Sequence, residues 1–229
     1  VSHAGATGGY RAWLERFPDE GLSVAVLCNG GSFNPVALGR AFANGRLSKP
    51  AASSAAIQSL AAGDPRAGLY YSQVTGKPMR LLIVDGKLKP EDGPALDSVG
   101  DGRFVAGETA IVFTGAGGFD LTMPDGNRSK FVRAAPFAPD AAMLAAYAGR
   151  YFSEEAEAAY DVAVEGAGLR LTLVSRPKLG VVTKPVYPDA FSAGDTLLRF
   201  VRDPAGKVVK MSFGISRVRD LAFARVASP

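Results

Sequence analysis

Short segments of alternating apolar and polar side chains fill most of this chain, and Gly, Pro, Asp and Asn break them at close intervals. Tyr10–Phe17 alternates in this way, which predicts a strand with one buried face. Pro18-Asp19-Glu20-Gly21 follows as a turn, and residues 22–27 are an apolar run that predicts a buried strand. Asn34 stands directly before Pro35, the order of an N-cap ahead of a proline at the first helical position. Val36, Leu38, Ala41 and Phe42 then supply the apolar positions of a helix. Residues 1–47 read as strand, strand and helix.

Residues 48–65 change character. They are rich in Ala, Ser and Pro and read as a linker with room for a short helix. The remainder repeats itself. Ala67-Gly68-Leu69-Tyr70-Tyr71-Ser72 matches Ala148-Gly149-Arg150-Tyr151-Phe152-Ser153. Further on, Asp101-Gly102-Arg103-Phe104 matches Pro188-Asp189-Ala190-Phe191, and Ile111-Val112-Phe113 matches Leu198-Arg199-Phe200. Each copy then has a turn, Pro124-Asp125-Gly126-Asn127 or Asp203-Pro204-Ala205-Gly206, and a closing strand around Phe131 or Phe223. Short strands between Gly, Pro and Asp turns favour antiparallel barrels, because closure removes the open edges of a meander. The chain therefore reads as mainly β, with two tandem antiparallel β-barrels at 66–137 and 138–229, joined by an Ala- and Pro-rich stretch at 136–144. Aromatic residues that recur in both copies, such as Tyr70 and Tyr151, are core layers in this reading.

Composition narrows the chemistry. Apolar residues make up 47% of the 229 and charged residues 21%, which is the profile of a folded globular chain. No apolar run approaches the length of a membrane-spanning helix. The net charge of +4 is spread along the sequence, without a basic cluster interleaved with aromatics, so no nucleic-acid partner is expected. Cys28 is the only cysteine and His3 the only histidine, which excludes an internal disulfide and argues against a dedicated zinc site. Neither a metal nor a cofactor is called for.

One stretch points to a family. His3-Ala4-Gly5-Ala6-Thr7-Gly8-Gly9-Tyr10, followed by Gly21-Leu22-Ser23-Val24-Ala25-Val26-Leu27-Cys28-Asn29, resembles the end of the catalytic domain of the penicillin-recognising serine hydrolases. That group takes in class C β-lactamases, DD-peptidases, related esterases and D-aminopeptidases. The resemblance implies that residues 1–47 are the last strands and helix of a serine-β-lactamase-like α/β domain. The two barrels resemble the lipocalin-like domains that follow the catalytic domain in bacterial D-aminopeptidases of peptidase family S12. In the family a Ser activated by a Lys three residues later is the nucleophile, and that pair is expected on an N-terminal catalytic portion outside this sequence.

Residue roles follow from the same resemblance. His3 takes the place of the His in the family's His-x-Gly strand beside the substrate, and Gly5 takes the place of its Gly, where a missing side chain lets the substrate lie close. A loop of the last domain carries an acidic residue that meets the substrate's free ammonium. Asp195 in Ser192-Ala193-Gly194-Asp195-Thr196 is the first candidate, ahead of Asp189 and Asp203. Ser175-Arg176-Pro177-Lys178 has the spacing of the nucleophile pair, but Pro177 inside it is incompatible with a helix. Ser32-Phe33-Asn34 imitates a Ser-x-Asn motif, with Asn34 better explained as an N-cap, and Gly115-Ala116-Gly117-Gly118 reads as a loop between strands.

The resemblance implies a hydrolase of D-amino-acid peptides or amides, in bacterial cytoplasm or periplasm, whose barrels shape substrate access. A β-lactamase-related esterase or DD-peptidase is the alternative within the family. A non-catalytic barrel module binding a ligand or partner is the alternative outside it. The strand at 22–27 should seek a partner strand, from the N-terminal catalytic portion or from a second copy in a homodimer.

Overall fold

The structure, a computed structural model, describes residues 2–47, 59–107, 109–115, 117–123, 127–215 and 218–227. Most of the linker (48–58) and most of the turn at 124–127 (residues 124–126) lie outside the described residues. Residues 59–66 hold turns and no helix. By compactness the chain divides into residues 1–66 with 82–130, and residues 67–81 with 131–229.

In the first unit, β1 (Ser2–Thr7), β2 (Tyr10–Phe17) and β3 (Leu22–Cys28) form an antiparallel sheet in that order, followed by α1 (Pro35–Asn44). Asn34 caps α1 as predicted, its side chain accepting from the Ala37 N–H at 3.1 Å, with Pro35 behind it. The helix packs on one face of the sheet through small residues. Pro35, Gly39 and Ala43 are its buried positions, while Leu38 and Phe42 are exposed. A methyl group on Gly39 would lie 2.7 Å from Cδ1 of Trp13, so glycine sets how closely helix and sheet approach. Leu38 and Phe42, read from the sequence as part of the apolar face, are thus on the wrong side of the contact. The strand at 22–27 needs the same correction. Val24 is buried, but Leu27 is 85% exposed, because α1 covers only one face and side chains alternate along a strand.

Two closed eight-stranded antiparallel barrels follow. The first comprises β4 (Gly68–Ser72), β5 (Pro78–Val84), β6 (Lys87–Pro90), β7 (Asp97–Ser98), β8 (Arg103–Ala106), β9 (Thr109–Phe113), β10 (Gly118–Thr122) and β11 (Arg128–Arg133). They hydrogen-bond in the order β6-β5-β4-β11-β10-β9-β8-β7, and a bridge between Leu88 and Leu96 joins the two ends. The second comprises β12 (Gly149–Ser153), β13 (Ala158–Glu165), β14 (Gly168–Leu173), β15 (Gly180–Tyr187), β16 (Ala190–Ala193), β17 (Thr196–Arg202), β18 (Val208–Ile215) and β19 (Val218–Val226), closed between β19 and β12.

The repeat read in the sequence recurs at the level of single bonds. The Phe113 N–H donates to the Gly102 carbonyl at 3.0 Å, and the Phe200 N–H donates to the Asp189 carbonyl at 2.8 Å. Gly102 and Asp189 both have positive φ, +71° and +61°, so the same left-handed turn precedes the same aromatic strand. Arg66 lies over Phe104 at 5.0 Å, and Tyr147 meets Phe191 edge-on at 4.9 Å, each in the equivalent place.

The second barrel is filled by its own side chains. Tyr147, Tyr151, Phe191, Leu198, Met211 and Phe223 are all at or below 1% exposure and belong to one cluster. Leu144 and Tyr147 enter it from α2 (Ala141–Ala145) and the turn behind it. This short helix stands in the stretch read as a plain joining segment. Its signal was Asp140, whose side chain caps the Met143 N–H at 2.8 Å.

Candidate functional site

Register decides what β1 can present. His3 pairs with Leu14, and Gly5 with Ala12; on the next strand Leu14 pairs with Ala25 and Ala12 with Leu27. Directly opposed residues of an antiparallel pair share a face, so His3 and Gly5 lie on the face turned away from α1. That face is open: His3 is exposed, Leu14 is 55% exposed, and Tyr10 is exposed at the end of β2. β1 is also the edge of its sheet, so one row of its backbone N–H and C=O groups is not used by β2. A peptide could extend along that edge, and Gly5 has no side chain in the way.

The opposite face carries a buried ion pair that the motif reading missed. Glu15, 4% exposed, accepts from Arg40 of α1 at 3.2 Å and from the Trp13 indole N–H at 3.4 Å. A carboxylate in the Trp13 phase of an alternating strand was the available signal, since a buried charge requires a cation. This pair positions α1 rather than binding anything. Breaking it would strand a charge, which is the costly outcome for buried pairs.

The acidic candidates lie in the other unit. Asp195 sits at the tip of the turn between β16 and β17, after Gly194 with φ +56°. Its carboxylate receives the Lys77 ammonium at 3.0 Å, and both side chains are about half exposed. The site therefore holds an ammonium, but one supplied by the chain itself. The Lys77 backbone is firmly placed, because the buried Tyr187 hydroxyl donates to the Gly76 carbonyl at 2.7 Å and Tyr187 stacks on Tyr71 at 4.5 Å.

Asp189 is committed elsewhere. It accepts from the Tyr147 hydroxyl at 2.9 Å and from Arg202 at 2.8 Å, and Arg202 also covers the Tyr147 ring. Burial, with a further contribution from the Asp189 carboxylate, raises the Tyr147 hydroxyl above the ordinary tyrosine range. Asp203 caps the turn before β18 by accepting the Lys207 N–H at 2.9 Å. Ser175 to Lys178 lie between β14 and β15, outside any helix, and Gly115 and Gly117 lie between β9 and β10.

Among the described residues no group of three or more His, Cys, Asp or Glu is placed to hold a metal ion. No helix among them is long and apolar enough to cross a membrane. No protein-family model matches the chain, and no curated protein matches it.

Proposed function

We propose that this chain is the C-terminal portion of a serine hydrolase that acts on D-amino-acid peptides or amides, with the barrels shaping substrate access. The observation that carries the reading is the β1–β2–β3 sheet. It combines the His3-x-Gly5 strand at an open edge, an uncovered face bearing His3 and Gly5, and a helix on the opposite face. In this reading the nucleophile and its lysine come from an N-terminal catalytic portion whose helices rest on the uncovered face. His3 lines the substrate and contributes to stabilising the oxyanion. Gly5 leaves room for the substrate backbone.

Asp195 selects a free amine in this reading. A carboxylate rewards an α-ammonium with a charge-assisted hydrogen bond and gives an acylated nitrogen nothing. Lys77 holds that carboxylate in place until a ligand competes for it. The packed interior of the second barrel favours a shaping role over storage of an apolar ligand.

The test begins with the intact mass of the natural protein, purified and denatured. A second polypeptide carrying Ser-x-x-Lys beside this 23.8 kDa chain, or a longer single chain carrying it, supports the reading. Hydrolysis of D-alanine p-nitroanilide with loss on acetylating its amine then supports the aminopeptidase. Turnover only of short-chain p-nitrophenyl esters or acylated D-Ala-D-Ala moves the assignment to the esterase or DD-peptidase. Absence of any such partner segment and of any turnover overturns the hydrolase reading.

A further inference from the structure

Two asparagines of this chain stand directly before glycine, in Asn29-Gly30 and Asn44-Gly45. An asparagine in that setting is open to attack by its own backbone, because the following residue has no side chain to keep its nitrogen away from the amide carbon. The other two asparagines are poorly placed for this. Asn34 precedes Pro35, which has no N–H, and Asn127 precedes Arg128, which carries a side chain. In the sequence both Asn-Gly pairs give the same signal. The fold treats them differently.

Asn44 is the last residue of α1, and the Gly45 N–H donates to the Ala41 carbonyl at 3.2 Å. Gly45 keeps helical backbone angles, φ −72° and ψ −15°. The nitrogen that would have to attack is thus engaged with a strong acceptor and fixed in the helical path. Asn29 lies just beyond β3, outside any helix or strand, and is exposed. The Gly30 N–H donates to Cys28 Sγ at 3.3 Å, and sulfur is a weak acceptor. The Asn29 side chain makes no hydrogen bond among the described residues.

We propose that Asn29 is a site of spontaneous deamidation and isomerisation, and that the end of α1 protects Asn44 from the same reaction. The Gly30 nitrogen gives its proton to solvent and bonds to Asn29 Cγ. The side-chain amide nitrogen takes a proton from solvent and leaves as ammonia. The resulting cyclic imide takes up one water. Opening at the Cγ carbonyl yields aspartate, and opening at the main-chain carbonyl yields isoaspartate.

Either product adds a negative charge at the end of β3. Isoaspartate also routes the main chain through the former side chain, which lengthens it by one carbon. That carbon enters directly before a tight turn, where the Phe33 N–H donates to the Gly30 carbonyl at 3.1 Å. Gly31 in this turn lies against the β1–β2 connection, since a methyl group on it would stand 3.6 Å from both Cα and the carbonyl oxygen of Gly9. The modification therefore acts on the hairpin end of the sheet that carries β1. It is independent of the hydrolase reading, because it is followed by mass and needs no turnover.

Trypsin separates the two sites, since cleavage after Arg16, Arg40 and Arg46 places Asn29 in peptide 17–40 and Asn44 in peptide 41–46. The 229-residue chain is held in mildly alkaline buffer, digested at intervals and followed by mass spectrometry. Isoaspartate is counted by methyl transfer from S-adenosylmethionine with an isoaspartyl methyltransferase. The expected result is conversion in peptide 17–40 roughly tenfold faster than in peptide 41–46, with isoaspartate among the products. The same incubation in guanidinium chloride should bring the two rates together. Asn29→Gln should abolish the conversion in peptide 17–40, and Gly30→Ala should slow it about tenfold. Gly30→Ala fits the fold, because its methyl group would meet Cys28 Sγ at 3.5 Å and Phe33 Cβ at 3.7 Å, both ordinary contacts. Equal rates in the folded chain, or conversion of neither peptide, would overturn the proposal. So would a preference that persists in guanidinium chloride, since flanking sequence rather than the fold would then set it. Conversion in peptide 17–40 that survives Asn29→Gln would overturn it as well.

Discussion

The Arg225 guanidinium lies over the Tyr151 ring at 5.9 Å from its centre, and its nitrogens donate to the carbonyls of Ala146, Val208 and Ala148. Arg133 stands over Tyr70 in the same way at 4.7 Å. Each arginine is on the last strand of its barrel, and each tyrosine is two residues after a glycine that opens the first strand. Gly149 has a φ of +146°, and a methyl group there would meet Arg225 at 3.0 Å. Gly-x-Tyr at the start and Arg at the end therefore act together: the arginine covers the tyrosine ring and ties the closing strand to the carbonyl of the residue before the opening one.

Replacing Arg225 with Ala should destabilise the chain by about 2–3 kcal/mol, from a lost cation–π contact and several charge-assisted hydrogen bonds. Urea denaturation measures this. Arg225→Lys should recover only part of the loss, since an ammonium cannot fork to several carbonyls.

Gly39→Ala should cost about 1–3 kcal/mol through overpacking against Trp13. Trp13 is the only tryptophan, so its fluorescence reports the event directly. A red shift with unchanged barrel circular dichroism would place the disturbance at α1. Unchanged fluorescence would contradict the close contact.

Alkaline pH should unfold the second unit through its buried tyrosines. Burial pushes the hydroxyls of Tyr151 and Tyr187 up to about 12 from 10. A raised folded-state value means the folded chain keeps protons that the unfolded chain gives up. This stabilisation is fully present below pH 10 and is lost as pH rises through about 12. Urea midpoints measured at several pH values in that window should fall, and Tyr151→Phe should flatten the fall.

Leu27→Thr should leave stability within about 0.5 kcal/mol, because the side chain is already 85% exposed. It should lower self-association measured by light scattering, since Tyr10, Leu14 and Leu27 form an uncovered apolar set. A large loss of stability would mean that Leu27 is covered in solution.

Asp195→Asn should cost less than about 1 kcal/mol of stability, as expected of a half-exposed pair with Lys77. In the proposed hydrolase it should reduce the preference for free over acetylated amines. A stability loss without any change in selectivity would make Asp195 a structural pin.

Much of this was legible from residues alone, because it depends on neighbours in sequence. The strand at Tyr10–Phe17, the Asn34 cap, and the pairing of Tyr70 with Tyr151 and Phe104 with Phe191 follow from alternation, capping chemistry and internal repetition. The exposure of Leu27 was not legible: an apolar strand reads the same whether one face or both are covered, and only the position of α1 settles which. The pairing of Asp195 with Lys77, 118 residues apart, was equally out of reach. So was the pairing of Arg199 with Asp220, 21 residues apart, since a charge spread thinly along the chain carries no sign of where folding will gather it. Local pattern determined the elements and their duplication. Which faces remained bare, and which distant charges came together, was decided by strand closure and helix packing, because those contacts join residues that no local rule relates.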